Sequence, residues 1–280
     1  MNVTRSDTTG FAVHYRSAVA ERGRLCAGID PHVELLEQWG LPVDTTGLRQ
    51  FADVCVDALG PVAAVIKPQV AFFEAFGATG FAVLESVIAG CRAAGAVVLA
   101  DAKRGDIGST MQAYAHAWLD ERSPLCADAV TVSPYLGFGS LSPAIDAARH
   151  GGRGVFVLAR TSNPEGAGVQ LAATGDRAVG QTIVDDAAEQ NADGSATVGL
   201  VVGATRAHGL DLSALNGPIL APGLGAQGAT AADLPIVFEG ADPAWVLPAS
   251  SRGVLRVGPD VAALRTAFAL ARDEVEAALR

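Results

Sequence analysis

The stretch Ala96-Val97-Val98-Leu99-Ala100-Asp101-Ala102-Lys103-Arg104-Gly105-Asp106 passes directly from five apolar residues into a run dense in charge. An unbroken apolar run of this length suits a strand covered on both faces, as in parallel sheets. In such folds the chemistry gathers where strands end and their following loops begin. Asp101 and Lys103 stand two apart, so on an extended backbone they share one face.

The pattern repeats along the chain. Residues 25–29, 62–66, 129–132, 154–158, 198–202, 218–221 and 245–247 are further short apolar runs. Helix-like stretches separate most of them. Residues 47–59 place Leu48, Phe51, Val54, Cys55 and Ala58 on one face, and 81–94 place Phe81, Leu84, Val87, Ile88 and Cys91. At the C-terminus, 260–279 repeats apolar residues every three or four positions behind Asp260 as N-cap. Strands alternating with helices over about 250 residues predict an α/β fold, the (β/α)8 TIM barrel; a doubly wound open sheet is the alternative. No linker divides the chain, so residues 1–280 read as a single domain, with the barrel core over about 24–257 and a C-terminal helix over about 260–279. The glycine-rich segment 161–180 reads as a loop or insertion after the fifth strand.

Composition narrows the function. Half of the 280 residues are hydrophobic and 18% are charged, which excludes extensive disorder. No apolar run approaches the length of a membrane span. A net charge of −10 without a basic cluster disfavours nucleic acid, yet a few arginines can still focus a field on one small anion. The four cysteines form no C-x-x-C pair and read as buried thiols. With no apolar leader among the first residues, a cytoplasmic location is expected. His14, His32, His116, His150 and His208 lack metal-ligand spacing, and Trp39, Trp118 and Trp245 read as core or interface.

The twenty basic residues comprise eighteen arginines and two lysines, Lys67 and Lys103. Both lysines fall at strand ends of the same polarity, in Ile66-Lys67-Pro68-Gln69 and in the opening stretch. The first strand end, Gly28-Ile29-Asp30-Pro31, adds an acid. Lys67, Asp101, Lys103 and Asp106 can form an alternating charge array, in which the carboxylates hold the lysines as ammonium against desolvation. Such an array could simply close the barrel end, or it could present a positioned proton donor. The seventh strand end, Pro222-Gly223-Leu224-Gly225-Ala226-Gln227-Gly228, and Arg252 after the eighth lie where these barrels bind phosphate; a flexible turn and a surface arginine are the bland alternative.

Asp101-Ala-Lys103-Arg-Gly-Asp106-Ile107-Gly-Ser-Thr110, with Gly28-Ile29-Asp30, Ile66-Lys67-Pro68, Ser133-Pro134-Tyr135, Pro222 to Gly228 and Ser251-Arg252-Gly253, resembles the orotidine 5'-phosphate decarboxylases, most closely their longer bacterial subgroup. The resemblance runs from about residue 24 to 257. It implies conversion of orotidine 5'-phosphate (OMP) to UMP and CO2, the last step of de novo UMP synthesis, by a homodimeric barrel without metal or organic cofactor. It further implies that Lys103 protonates C6 of the pyrimidine and that Asp101 sits beside the substrate carboxylate, with Lys67 and Asp106 completing the array. Asp30 and Lys67 would hold ribose hydroxyls, Ile107 would pack on the base and Ser133 would meet the pyrimidine edge. Gln227 would bridge base and phosphate, and Arg252 would bind the phosphate. Asp106 and Thr110 would reach into the partner's site. Ala229 departs from the glycine expected after Gln227-Gly228. Competing readings are a magnesium-dependent sugar-phosphate aldolase or decarboxylase with the same D-x-K-x-x-D strand, a Schiff-base aldolase, and a silent nucleotide-binding barrel.

Overall fold

Eight parallel strands close on themselves in the computed structural model, which describes residues 10–205, 207–225 and 228–280. They are β1 Cys26–Ile29, β2 Val65–Pro68, β3 Val97–Arg104, β4 Ala129–Val132, β5 Gly154–Arg160, β6 Val198–Val202, β7 Ile219–Pro222 and β8 Val246–Ser250. Each pairs with its sequence neighbour, and β1 pairs with both β2 and β8, which rules out the open sheet. The longer helices are α1 Phe11–Arg22, α2 Thr45–Leu59, α3 Gly77–Ala93, α4 Gly108–Leu119, α5 Ser142–Gly151, α6 Val179–Gln190 and α7 Val261–Ala278. Asp260 caps α7, its side chain accepting from the Ala263 amide at 2.7 Å, and Asp44 caps α2 in the same way.

Several strands run past their apolar stretches. β2 begins at Val65 and includes Lys67, and β3 continues through Asp101 to Arg104, because backbone pairing does not stop where hydrophobicity does. Helix α4 buries Met111, Ala115, Trp118 and Leu119, and α5 buries Ala144, Ile145 and Ala148. Among the described residues, 203–218 hold no helix, so β6 and β7 are joined irregularly. The 161–180 segment is a structured insertion: a turn at Pro164–Gly166, a short helix Ala167–Gln170, then an antiparallel pair of two-residue strands. No described helix is long and apolar enough to cross a membrane.

Two apolar layers follow from strand parity. Cys26, Val65, Val97, Leu99, Ala129, Leu220 and Leu247 point into the barrel, while Ala27, Ile66, Val98 and Ala100 pack outward against the helices. Helix α1 closes the floor: Tyr15 stacks on Trp245 at 5.5 Å and Phe11 meets Phe156 edge-on at 6.2 Å. Continuing the inward parity upward gives Gly28 and Asp30 after Cys26, Lys67 after Val65, Asp101 and Lys103 after Leu99, and Thr131 after Ala129. The upper layer of the barrel interior is thus charged. The four cysteines are buried free thiols, and Trp39, Trp118 and Trp245 are buried as expected.

Candidate active site

A cavity of about 690 Å³ opens at the C-terminal ends of the strands, a volume suited to a small-molecule ligand. Its wall includes Asp30, Lys67, Asp101 and Lys103, then Thr161, Ser162 and Asn163 after β5, Gly223 after β7, and Ser251 and Arg252 after β8.

Asp101 is the hub. Its side chain is 8% exposed and accepts four hydrogen bonds. Lys67 Nζ (3.2 Å) and Gln69 Nε2 (2.7 Å) donate to one oxygen; Lys103 Nζ (2.7 Å) and Thr131 Oγ1 (2.8 Å) donate to the other. Lys67 Nζ also lies 3.7 Å from Asp30 Oδ1, near enough to attract but too far to hydrogen-bond. Burial alone would push the Asp101 carboxyl up; the Lys67 and Lys103 ammoniums, with the hydrogen bonds from Lys103 and Thr131, reverse this and hold it well below the usual carboxylate range. Burial would likewise pull Lys67 down, but Asp30 and Asp101 raise it above the ordinary lysine value. Beneath them, burial pushes the Cys26 thiol up to about 12, so it stays neutral and adds no charge.

The two lysines differ in access. The Lys67 side chain is 7% exposed and sealed between its acids, whereas that of Lys103 is 45% exposed and faces open cavity. Lys103 also has a φ of +49°, a left-handed conformation that side chains rarely adopt and that costs about 1–3 kcal/mol. Its amide donates to Thr131 Oγ1 at 2.9 Å, so the same threonine holds both the Lys103 backbone and the Asp101 carboxylate. Gln69 and Thr131 escaped the reading of the sequence. Thr131 was visible as the lone polar residue in an apolar strand, and Gln69 as the inward-parity position after Lys67.

Not every expected residue joins the cluster. Asp106 lies outside it within the chain; its carboxylate accepts the Ile107 amide at 2.8 Å, and the observed array is Asp30, Lys67, Asp101 and Lys103. Ile107, 61% exposed, precedes α4, and Thr110 lies exposed in the first turn of that helix. Ser133 is half-buried at the end of β4, where its amide donates to the Arg104 carbonyl at 2.8 Å. None of these four lines the cavity. Gln227 lies outside the described residues. In the loop after β7, Gly223, Gly225 and Gly228 have φ values of +117°, +76° and +94°, conformations open to glycine. Ala229 is buried and bridges back to Leu224, which pins the neck of that loop and accounts for a side chain there. Arg252 is exposed at the cavity edge. At the cavity wall, Asp30 Oδ1 and Ser251 Oγ are buried with no hydrogen-bond partner among the described residues, and Asp30 Oδ1 faces the Lys67 ammonium at 3.7 Å. The described residues contain no group of three or more His, Cys, Asp or Glu able to hold a metal ion.

Comparisons with known proteins agree with this arrangement. Residues 23–267 match the orotidine 5'-phosphate decarboxylase / HUMPS family. A Salinispora arenicola protein named orotidine 5'-phosphate decarboxylase is 61% identical over 261 residues, 92% of this chain and 94% of that protein. A Streptomyces coelicolor protein of the same name is 57% identical over 264 residues, with the same coverage of both chains. A crystal structure from Streptomyces avermitilis superimposes with a TM-score of 0.94 at 54% identity, over 100% of this chain and 99% of that one. The Leishmania donovani OMP decarboxylase structure gives a TM-score of 0.77 at 31% identity, over 96% of this chain and 99% of that one. With its charged array at the mouth of a closed parallel barrel, this chain belongs to the orotidine 5'-phosphate decarboxylase / HUMPS family.

Proposed function

We propose that the chain is an orotidine 5'-phosphate decarboxylase, a carboxy-lyase that converts OMP to UMP and CO2. The observation that carries this reading is the unequal pair of lysines on one buried carboxylate: Lys67 sealed, Lys103 open to the cavity. Breaking the bond between C6 and the carboxyl carbon releases CO2 and leaves an electron pair on an sp2 carbon that the ring cannot easily delocalise. The Lys103 ammonium stabilises that charge and delivers a proton to C6. Asp101 lies beside the departing carboxylate and keeps Lys103 aimed. No step requires a metal or an organic cofactor.

The remaining roles follow the cavity outward. Asp30 and Lys67 hold ribose hydroxyls, in keeping with the place of both in the cavity wall. The glycines after β7, Gln227 and Arg252 form the phosphate end, and phosphate binding remote from C6 can be expressed in the transition state through loop closure. Ile107, Thr110, Ser133 and Asp106 complete the site around the base and ribose in a homodimer, with Asp106 and Thr110 acting across the interface. In support, Ile107 (61% exposed), Tyr135 (79%) and Leu136 (52%) stand exposed at the ends of the adjacent strands β3 and β4, an apolar patch suited to a second copy. The enzyme works in the cytoplasm. A magnesium-dependent member of the wider family would favour an acid at the end of β2; Lys67 places a cation there instead.

Purified, EDTA-treated protein should consume OMP absorbance and release CO2, and Lys103→Ala should abolish this with its circular dichroism unchanged. Dependence on added magnesium, or wild-type kcat in Lys103→Ala, would refute the assignment. Arg252→Ala should cost about 2–4 kcal/mol in kcat/KM, the scale of removing one partner from a desolvated charge pair; unchanged kcat/KM would remove Arg252 from the phosphate site. Mixing inactive Asp106→Ala and Lys103→Ala chains should restore activity through heterodimers with one competent site, and no recovery would count against a shared interface.

A further inference from the structure

Arg104 stands next to Lys103 in sequence, and the chemistry above gives it no task. Its guanidinium pairs with Glu74, the last residue of the short helix Val70–Glu74 that follows β2. The same group lies 5.7 Å from the Tyr114 ring centroid and 5.8 Å from that of Trp118, both on α4, within range of cation–π attraction. It also donates to the Ala102 carbonyl at 3.2 Å, while the Arg104 carbonyl accepts from the Ser133 amide at 2.8 Å. One residue thus ties together the ends of β2, β3 and β4 and the body of α4.

The place of this knot matters. The β3–β4 register shifts between Ala100 and Arg104, so the regular ladder lapses over the residues that carry the chemistry. Lys103, inside that gap, has its left-handed backbone. A side-chain-bearing residue relaxes from that conformation unless both flanks are fixed. Upstream, Asp101 and Thr131 fix it. Downstream, the next residue is Arg104. Lysine could supply the charge at position 104, but not the planar fork that pairs with Glu74 and lies against two rings.

We propose that the Glu74–Arg104 ion pair is a positioning device that holds Lys103 in its left-handed conformation with Nζ turned into the cavity. This rests on the reading of Lys103 as proton donor. Glu74 and Arg104 both line the cavity as well; in this role the pair acts through Lys103, so its loss lowers kcat and spares KM, whereas loss of a direct substrate contact would raise KM.

The test is steady-state kinetics with OMP on wild type, Glu74→Gln and Arg104→Lys, each with a thermal unfolding curve. The expected result is a fall in kcat of about tenfold or more with KM within about twofold, as for a misplaced catalytic group in an otherwise intact site. Glu74→Gln, the milder change, keeps the test open if Arg104→Lys folds poorly. Wild-type kcat in a folded Glu74→Gln protein overturns the proposal. So does a raised KM with kcat retained, which would make Arg104 a direct substrate contact. Wild-type turnover beside an unaffected Glu74→Gln defeats this inference alone; no turnover by wild type defeats the assigned function and this proposal with it.

Discussion

A carboxylate buried at the top of a barrel interior is the constraint on which the site depends. Left alone, Asp101 would take up a proton or recruit water. Two ammoniums, an amide and a hydroxyl keep it ionised instead. Each donor comes from a different position on the rim: Lys67 in β2, Gln69 just beyond it, Lys103 in β3 and Thr131 in β4. Satisfying one oxygen pair thereby fixes the relative placement of three neighbouring strand ends. Such a cluster is weak evidence for stability, since desolvating its charges offsets much of their attraction. Its value lies in holding the Lys103 ammonium at one position at the cavity wall.

The shifts set a pH window. The folded Asp101 carboxyl titrates below its unfolded value, so its contribution to stability is present above the ordinary carboxylate range and is lost as pH falls through the lower folded value. Lys67 is raised, so its contribution is present below the ordinary lysine range and is lost as pH rises through the higher folded value. Between those limits Asp101 and Lys67 both stay charged.

Much of this was legible in the sequence because parity carries over from apolar to polar residues. Val97 and Leu99 point inward, and the same two-residue step lifts Asp101 into the mouth; Val65 does the same for Lys67. The scarcity of lysine marked the two that matter. What was not legible depends on contacts between strands. Asp30 was legible only as an acid at a strand end, yet within the chain it lies 3.7 Å from Lys67, while the Asp106 carboxylate accepts its neighbour's amide. Gln69 and Thr131 carry no charge to draw attention, yet supply two of the four donors to Asp101. The left-handed turn at Lys103 and the Glu74–Arg104 pair have no local sequence signature, since a lysine and an arginine there would be equally at home in a regular strand.

The central claim is that Asp101 stays ionised because two lysines hold it. It can be measured directly by titrating the carboxyl carbons of aspartate-labelled protein by NMR, with Asp101→Asn to assign the resonance. The account predicts that the Asp101 signal remains that of a carboxylate well below the pH at which ordinary aspartates titrate. A resonance titrating in or above the ordinary range would contradict it.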